Sequence, residues 1–199
     1  MMHERERFLQ AGHLYAIEGP DGSGKTTVCK LVVEALRSNK PKLVQSYRLP
    51  GGTPVGEIAR DIVKNNVMEK ESQILAFMLA FSEVWNTHIE SSLLAGDVVV
   101  LDRWYHSTLA YQLTREGDCA ALEELLLKYA YVRKPRITFV LQCDLTEQRK
   151  RLLAKNGDND VIEKKILGSC EYQEKIRNWY KQFSKYPHYA GMPGETVIT

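Results

Sequence analysis

The stretch Gly19-Pro20-Asp21-Gly22-Ser23-Gly24-Lys25-Thr26 restricts the architecture of this chain more than any other. It fits the pattern G-x-x-x-x-G-K-[ST] and lies between two segments that give the pattern physical meaning. His13-Leu14-Tyr15-Ala16-Ile17-Glu18 is a short apolar run that reads as a buried strand, and Val28, Leu31, Val32, Ala35 and Leu36 follow at helical spacing. A strand, a glycine-rich turn and a helix N-terminus together form an anion site, with backbone N–H groups and the positive end of the helix dipole facing the ligand. Gly19, Gly22, Ser23 and Gly24 would cradle a nucleotide's phosphates. Lys25 would reach the β- and γ-phosphates, and the Thr26 hydroxyl would ligate Mg²⁺.

Apolar runs alternate with helical patterns along the rest of the 199 residues. Strands are predicted at 14–18, 43–47, 98–101, 137–141 and 196–199. Helices are predicted at 26–38, 54–66, 71–95, 120–130, 145–155 and 161–184. Thr53 before Pro54 reads as a helix cap, Gly96 as a helix stop, and Pro41 as a break after the first helix. Strands separated by helices predict an α/β fold with a five-stranded parallel sheet flanked by helices. Residues 1–12 read as an N-terminal extension and 13–199 as one P-loop domain. The polar segment Lys155-Asn156-Gly157-Asp158-Asn159-Asp160 predicts a short lid at about 152–162.

Composition narrows the function classes. Twenty-seven lysines and arginines against 25 acids leave a net charge of +2, which gives no argument for nucleic acid or a membrane surface. The four cysteines are widely spaced and include no C-x-x-C pair, so neither a zinc site nor a disulfide framework is expected. The charged first dozen residues do not read as a secretory signal, and no run reaches the length of a membrane span. These features predict a soluble, cytoplasmic protein.

In a parallel sheet ligands sit beyond the carboxyl ends of the strands, so residues just after strands carry the chemistry. Arg48 follows strand two, and Asp102-Arg103 follows strand three. Two guanidinium groups facing the P-loop crevice suggest a second anion beside the nucleotide phosphates, because an arginine fork offers bidentate donors and stays charged. Asp102 at a strand end can hold Mg²⁺, usually through water.

Three motifs in order carry a family resemblance: Glu18-Gly19-Pro20-Asp21-Gly22-Ser23-Gly24-Lys25-Thr26-Thr27, then Arg48-x-Pro50-Gly51-Gly52-Thr53-x-x-Gly56-Glu57, then Asp102-Arg103-x-x-x-Ser107-Thr108-x-Ala110-Tyr111-Gln112. The chain resembles the thymidylate kinase family from about Leu14 through the 161–184 segment. The resemblance implies a P-loop nucleoside monophosphate kinase architecture, with ATP and Mg²⁺ as co-substrates. It also implies deoxythymidine monophosphate, or a closely related 5-substituted deoxypyrimidine monophosphate, as acceptor, and a homodimer. By position, Asp21 resembles the acid near the acceptor's sugar and phosphate, Arg48 the arginine that grips that phosphate, and Arg103 the one between donor and acceptor phosphates. Thr27 completes the donor loop, and Ser107 lies within the third motif. Phe77 resembles the aromatic that stacks on the base, Thr108 the hydroxyl that bonds a ring nitrogen, and Tyr111 the ring that excludes ribose.

Two departures stand out. Phe81 occupies the position where the family commonly places an arginine that donates to a base carbonyl. Its loss would relax base selectivity unless Gln112 or a water replaces the contact. Gly22 in the loop implies a basic lid. Arg149, Lys150, Arg151 and Lys155 are available; Arg151 reads as a solvated helix residue, which leaves Lys155 as the lid cation. Asp160 and Glu163 resemble acids that follow the lid and approach the acceptor, or read simply as helix N-terminal charges. The resemblance also implies a closing helix after the last strand, whereas the sequence ends at Thr199.

Three other readings make demands that the sequence can be checked against. A deoxynucleoside kinase would want a carboxylate base after strand two, where Leu49 stands. A GTP-dependent switch would need D-x-x-G after strand three, where Tyr105 replaces the glycine, and an N-K-x-D guanine reader. A nucleotide-binding protein with weakened catalysis would fit Phe81 and the thin lid.

Overall fold

The computed structural model describes residues 13–39, 43–112, 124–126, 128, 133–154, 160–183 and 196–198. The strands are β1 (His13–Glu18), β2 (Val44–Arg48), β3 (Val98–Asp102), β4 (Ile137–Val140) and the three-residue β5 (Thr196–Ile198). All pair in parallel in the order β2-β3-β1-β4-β5, with β2, β3, β1 and β4 forming the body and β5 pairing outside β4. The α/β class and the parallel sheet flanked by helices are as the sequence predicted.

The helices are α1 (Lys25–Asn39), α2 (Pro54–Asn65), α3 (Lys70–Val84), α4 (Glu90–Leu94), α5 (Tyr105–Gln112), α6 (Leu145–Leu153), α7 (Val161–Gly168) and α8 (Cys170–Gln182). A π-helical turn at Trp85–Ile89 joins α3 to α4. The predicted 71–95 helix is therefore one rod with a wider turn near its middle, which carries Trp85 and Ile89 into the core. Side chains alternate across the strands and build two cores. Leu14, Ala16, Val99 and Leu101 join α3, α5 and α8 on one face, while Ile17, Val98 and Val100 pack with Cys29 and Val33 of α1 on the other.

Two differences from the predicted elements have local causes. Helix α5 was not anticipated, because seven of its eight residues are buried and it shows no polar–apolar period. The predicted 161–184 helix is broken at Ser169, whose backbone is extended and whose side chain accepts from Tyr172 N. Residues 1–12, most of 120–130, the lid segment 155–159 and Thr199 lie outside the described residues.

Helix α2 shows how the loop after β2 is fixed. Thr53 Oγ1 accepts from Gly56 N at 2.9 Å, Pro54 opens the first turn, and Glu57 Oε1 reaches back to accept from Gly52 N at 3.0 Å. A side chain at Gly56 would meet the Gly51 carbonyl at 2.8 Å, so the helix start lies directly on the loop it follows. Replacing Thr53 with Ala removes the cap and is expected to lower stability by about 1 kcal/mol; the urea midpoint of Thr53→Ala against the parent checks this.

Candidate active site

The P-loop leaves β1 between the ends of β3 and β4. Gly19, Gly22 and Gly24 hold φ of +138°, +81° and +95°, values that side chains rarely tolerate. A Cβ at Gly19 would collide with the Leu141 carbonyl, so only glycine fits where the loop passes the end of β4. From behind, α6 supports it: Gln148 Nε2 donates to Asp21 O at 2.6 Å, and Arg151 Nη1 donates to Gly22 O at 3.1 Å. Arg151 is 47% exposed and pairs with Glu147 one turn back, as its reading as a solvated helix residue had it, and its guanidinium also reaches the P-loop and lines the cavity. Within the loop the Ser23 hydroxyl is buried with no protein partner.

Strand register sets the second wall. Ile17 of β1 lies beside Asp102 of β3, which lies beside Arg48 of β2. Thr26 Oγ1 donates to Asp102 Oδ2 at 2.6 Å, so the two oxygen groups expected at a cation are adjacent. Arg103 takes a left-handed backbone with φ +74°, unusual for a non-glycine residue, and this turns its side chain back across the crevice. There it pairs with Asp21 Oδ1 and donates to Ser107 Oγ at 2.9 Å. Tyr111 donates to Asp21 Oδ2 at 2.8 Å and accepts from Asp21 N at 2.9 Å, with its ring under the Arg103 guanidinium.

The turn that carries Arg103 is held by Glu18, which is fully buried. Its Oε1 accepts from Trp104 N at 2.7 Å and Ser107 N at 3.3 Å. Its Oε2 accepts from Ser107 Oγ at 2.7 Å and Tyr180 Oη at 2.9 Å. Four bonds to one carboxylate tie the end of β1, the N-terminus of α5 and helix α8 together.

Electrostatics follow from this crowding. Lys25 is buried and donates to Pro20 O at 2.7 Å; burial first, then the Arg103 charge, push its pKa down to about 7. Burial is the largest influence on Arg103 and works against its charge, yet Asp21, Tyr111, Tyr180 and Glu18 together outweigh it and hold the guanidinium above its ordinary range. Burial, reinforced by Asp21, raises Tyr111 well above the usual phenol value.

These groups surround a cavity of about 310 Å³. Of the residues expected at the site, Asp21, Gly22, Gly24, Lys25, Thr26, Thr27, Arg48, Phe77, Phe81, Asp102, Arg103, Ser107, Thr108, Tyr111 and Gln112 line it. Gly19 and Ser23 stand in the loop behind it, and Lys155 lies outside the described residues. Phe81 is packed between Phe77 and Trp104, with ring centroids 6.4 and 5.3 Å away. Asp160 caps α7 in a capping box with Glu163, so its helix-terminal reading holds, and both residues also line the cavity.

Sequence reasoning missed Arg60. It donates to Pro50 O at 2.9 Å from α2 and lines the cavity beside Arg48. The available signal was its place next to Ala59 on a helix whose Gly56, Ala59 and Val63 are buried, since a cation beside an inward face needs a partner there.

Comparison with known proteins gives consistent matches. The family model for thymidylate kinase matches residues 17–189. A thymidylate kinase of Legionella pneumophila (strain Corby) is 36% identical over 175 residues, covering 85% of this chain and 80% of the relative. A thymidylate kinase of Clostridium novyi (strain NT) is 30% identical over 188 residues, covering 90% and 89%. The crystal structure of thymidylate kinase from Ehrlichia chaffeensis superposes with a TM-score of 0.70 at 27% identity, covering 94% of this chain and 93% of that one.

Removing the Glu18 carboxylate would strand buried donors on Trp104, Ser107 and Tyr180. Glu18→Leu is expected to lose about 3 kcal/mol of stability, and Tyr180→Phe, which leaves the carboxylate its other donors, about 1 kcal/mol. Urea unfolding of both variants tests the order; equal losses would contradict it.

Proposed function

The chain belongs to the thymidylate kinase family, and we propose that this cavity transfers the γ-phosphoryl group of ATP to deoxythymidine monophosphate, giving ADP and the diphosphate. The observation that carries this reading is the convergence of Lys25, Arg48, Arg60 and Arg103 on one cavity floored by a P-loop. With Lys64 and Arg151, six cationic side chains line the cavity against four acids, Asp21, Asp102, Asp160 and Glu163, so it suits a ligand that brings negative charge. The deoxynucleoside kinase alternative is not favoured.

Phosphoryl transfer asks a protein mainly for position and charge. The P-loop N–H groups and the Ser23 hydroxyl would hold the donor phosphates, with Thr27 at the start of α1. Ser23 Oγ is already desolvated and lacks a protein partner, which suits a phosphate oxygen. Thr26 and Asp102 are hard oxygen donors in contact with each other, and they fit Mg²⁺ held partly by phosphates and water. That ion would neutralise charge on the transferring group. Arg48 and Arg60 would hold the acceptor phosphate. Arg103, aimed between the two walls by the Glu18-anchored turn, would stabilise charge as the bond to the leaving oxygen breaks. No side chain need act as base, because the acceptor phosphate is already anionic.

At the base end, Phe77 would stack on the pyrimidine, with Phe81 extending the apolar wall. Thr108 and Gln112 would supply the polar contacts and Ser107 would support Arg103. Tyr111, fixed on Asp21, would close the space that a ribose hydroxyl needs. Arg151 and, from the lid at about 152–162, Lys155 would add positive charge over the donor. Ile58 and Ile62 on α2, with Leu75 and Leu79 on α3, are exposed apolar residues that suit a homodimer contact. Among the described residues no helix is long and apolar enough to cross a membrane, and we place the enzyme in the cytoplasm.

A coupled ADP-release assay across a panel of nucleoside monophosphates tests the reading. Turnover on dTMP is expected, and Arg103→Ala should lower kcat by about 10²-fold or more. Unchanged turnover in that variant would remove Arg103 from the reaction. Lys25 offers a second test. With its pKa near 7, most of it is neutral at pH 8, and a bound polyphosphate restores the charged form. ATP binding at pH 8 is therefore expected to take up protons. Calorimetry in two buffers of different ionisation enthalpy measures this, and proton release would contradict it.

A further inference from the structure

Helices α3 and α5 face each other across the cavity in rungs one helical turn apart: Phe81 against Trp104, then Phe77 and Thr108, then Gln73 against Gln112. The last rung is a hydrogen-bonded relay. Gln73 Nε2 donates to the Met68 backbone carbonyl at 3.0 Å, and Gln112 Nε2 donates to Gln73 Oε1 at 3.0 Å. A carbonyl oxygen can only accept. Gln73 must therefore turn its NH₂ to Met68 and its oxygen to Gln112, and Gln112 must answer with its own NH₂. Both amide orientations follow from one backbone atom.

The consequence lies at the other end of Gln112. Its Oε1 is buried and has no hydrogen-bond partner, on a residue 4% exposed that lines the cavity. A buried acceptor without a donor is costly unless something else supplies one. On the neighbouring rungs Phe77 and Phe81 offer neither donor nor acceptor, and Trp104 Nε1 is spent on Arg133 O. The Thr108 hydroxyl can turn either way. Of the groups on these rungs that line the cavity, Gln112 Oε1 is the one whose hydrogen-bonding sense is set by a neighbour.

We propose that Gln73 is a positioning residue that sets the polarity of base readout, holding Gln112 as an acceptor so that the site selects a pyrimidine bearing a ring N–H. A thymine-type base carries that proton. A cytosine-type base presents a lone pair at the same nitrogen and would face oxygen with nitrogen. Reversing Gln112 alone would set two amide oxygens against each other, and reversing both amides would turn Gln73 Oε1 on Met68 O. Either change costs roughly tenfold to a hundredfold in population. The inference rests on the pyrimidine monophosphate reading above.

The test is the ratio of kcat/KM for dTMP over dCMP in three variants, each checked for cooperative thermal unfolding. Gln73→Glu can still accept from Gln112 Nε2 and should keep the parent's preference for dTMP. Gln73→Leu frees the amide, and the ratio should fall about tenfold, with the loss in KM for dTMP rather than in kcat. Gln73→Lys can only donate, to Met68 O and to Gln112 Oε1, which turns the Gln112 NH₂ to the cavity and should move the ratio toward dCMP by more than tenfold. An unchanged ratio in both the Leu and Lys variants overturns the proposal. A parent that phosphorylates neither monophosphate fails the kinase reading instead, and the two failures are distinct.

Discussion

The buried carboxylate of Glu18 is the contact on which the rest of the site depends. It stands at the last position of β1, immediately before the P-loop, and accepts from both the main chain and side chains of the turn after β3. The two walls of the cavity are thereby fixed by one group. A fully buried charge is expensive unless every lone pair is used, and here donors from Trp104, Ser107 and Tyr180 use them. The same bonds place a negative charge at the N-terminus of α5, where the helix dipole favours it. Arg103, strained in a left-handed backbone, is held from both sides of this contact: its Nη1 bonds Ser107, and its Nη2 pairs with Asp21.

Charge distribution explains why the cavity is built for a guest. Lys25 is buried against a backbone carbonyl and its charged form is disfavoured. Arg60 is lowered by burial and then by Arg48 beside it, which records mutual repulsion of cations on one face. Folding alone gives no reason to gather such groups, since each costs desolvation. Polyanionic ligands supply one, and on the kinase reading donor and acceptor phosphates relieve the P-loop and the arginine pair in turn.

Much of this was legible in the sequence because the residues obey short-range rules. The P-loop glycines need positive φ, the strands are apolar runs, and Thr53-Pro54 is a cap followed by a first-turn proline; none depends on distant contacts. What escaped notice depends on tertiary placement. Helix α5 hides its period because sheet, α3 and α8 cover nearly all of it. The break at Ser169 is hidden in the sequence by apolar spacing that continues on either side of it. Arg60 carries no motif in the sequence, because only the turn of α2 over Pro50 brings it inward. Arg151 is solvated as read, but sequence does not show that α6 also lies along the back of the P-loop.

Phe81 shows most clearly how a residue read alone can mislead. As a letter in a motif it is a missing donor, and its absence suggests weakened selectivity. In the fold it is 2% exposed and packed against Trp104 at 5.3 Å, so an apolar rung has replaced a polar one with its packing intact. The polar atom of fixed sense lies two rungs away, at Gln112, where a relay to the Met68 carbonyl orients it. Apolar packing at one end of the wall and an oriented amide at the other divide the work of recognition. On that view shape is read by Phe77 and Phe81, and hydrogen-bond polarity by Gln112, so losing a donor at position 81 does not by itself remove discrimination between bases.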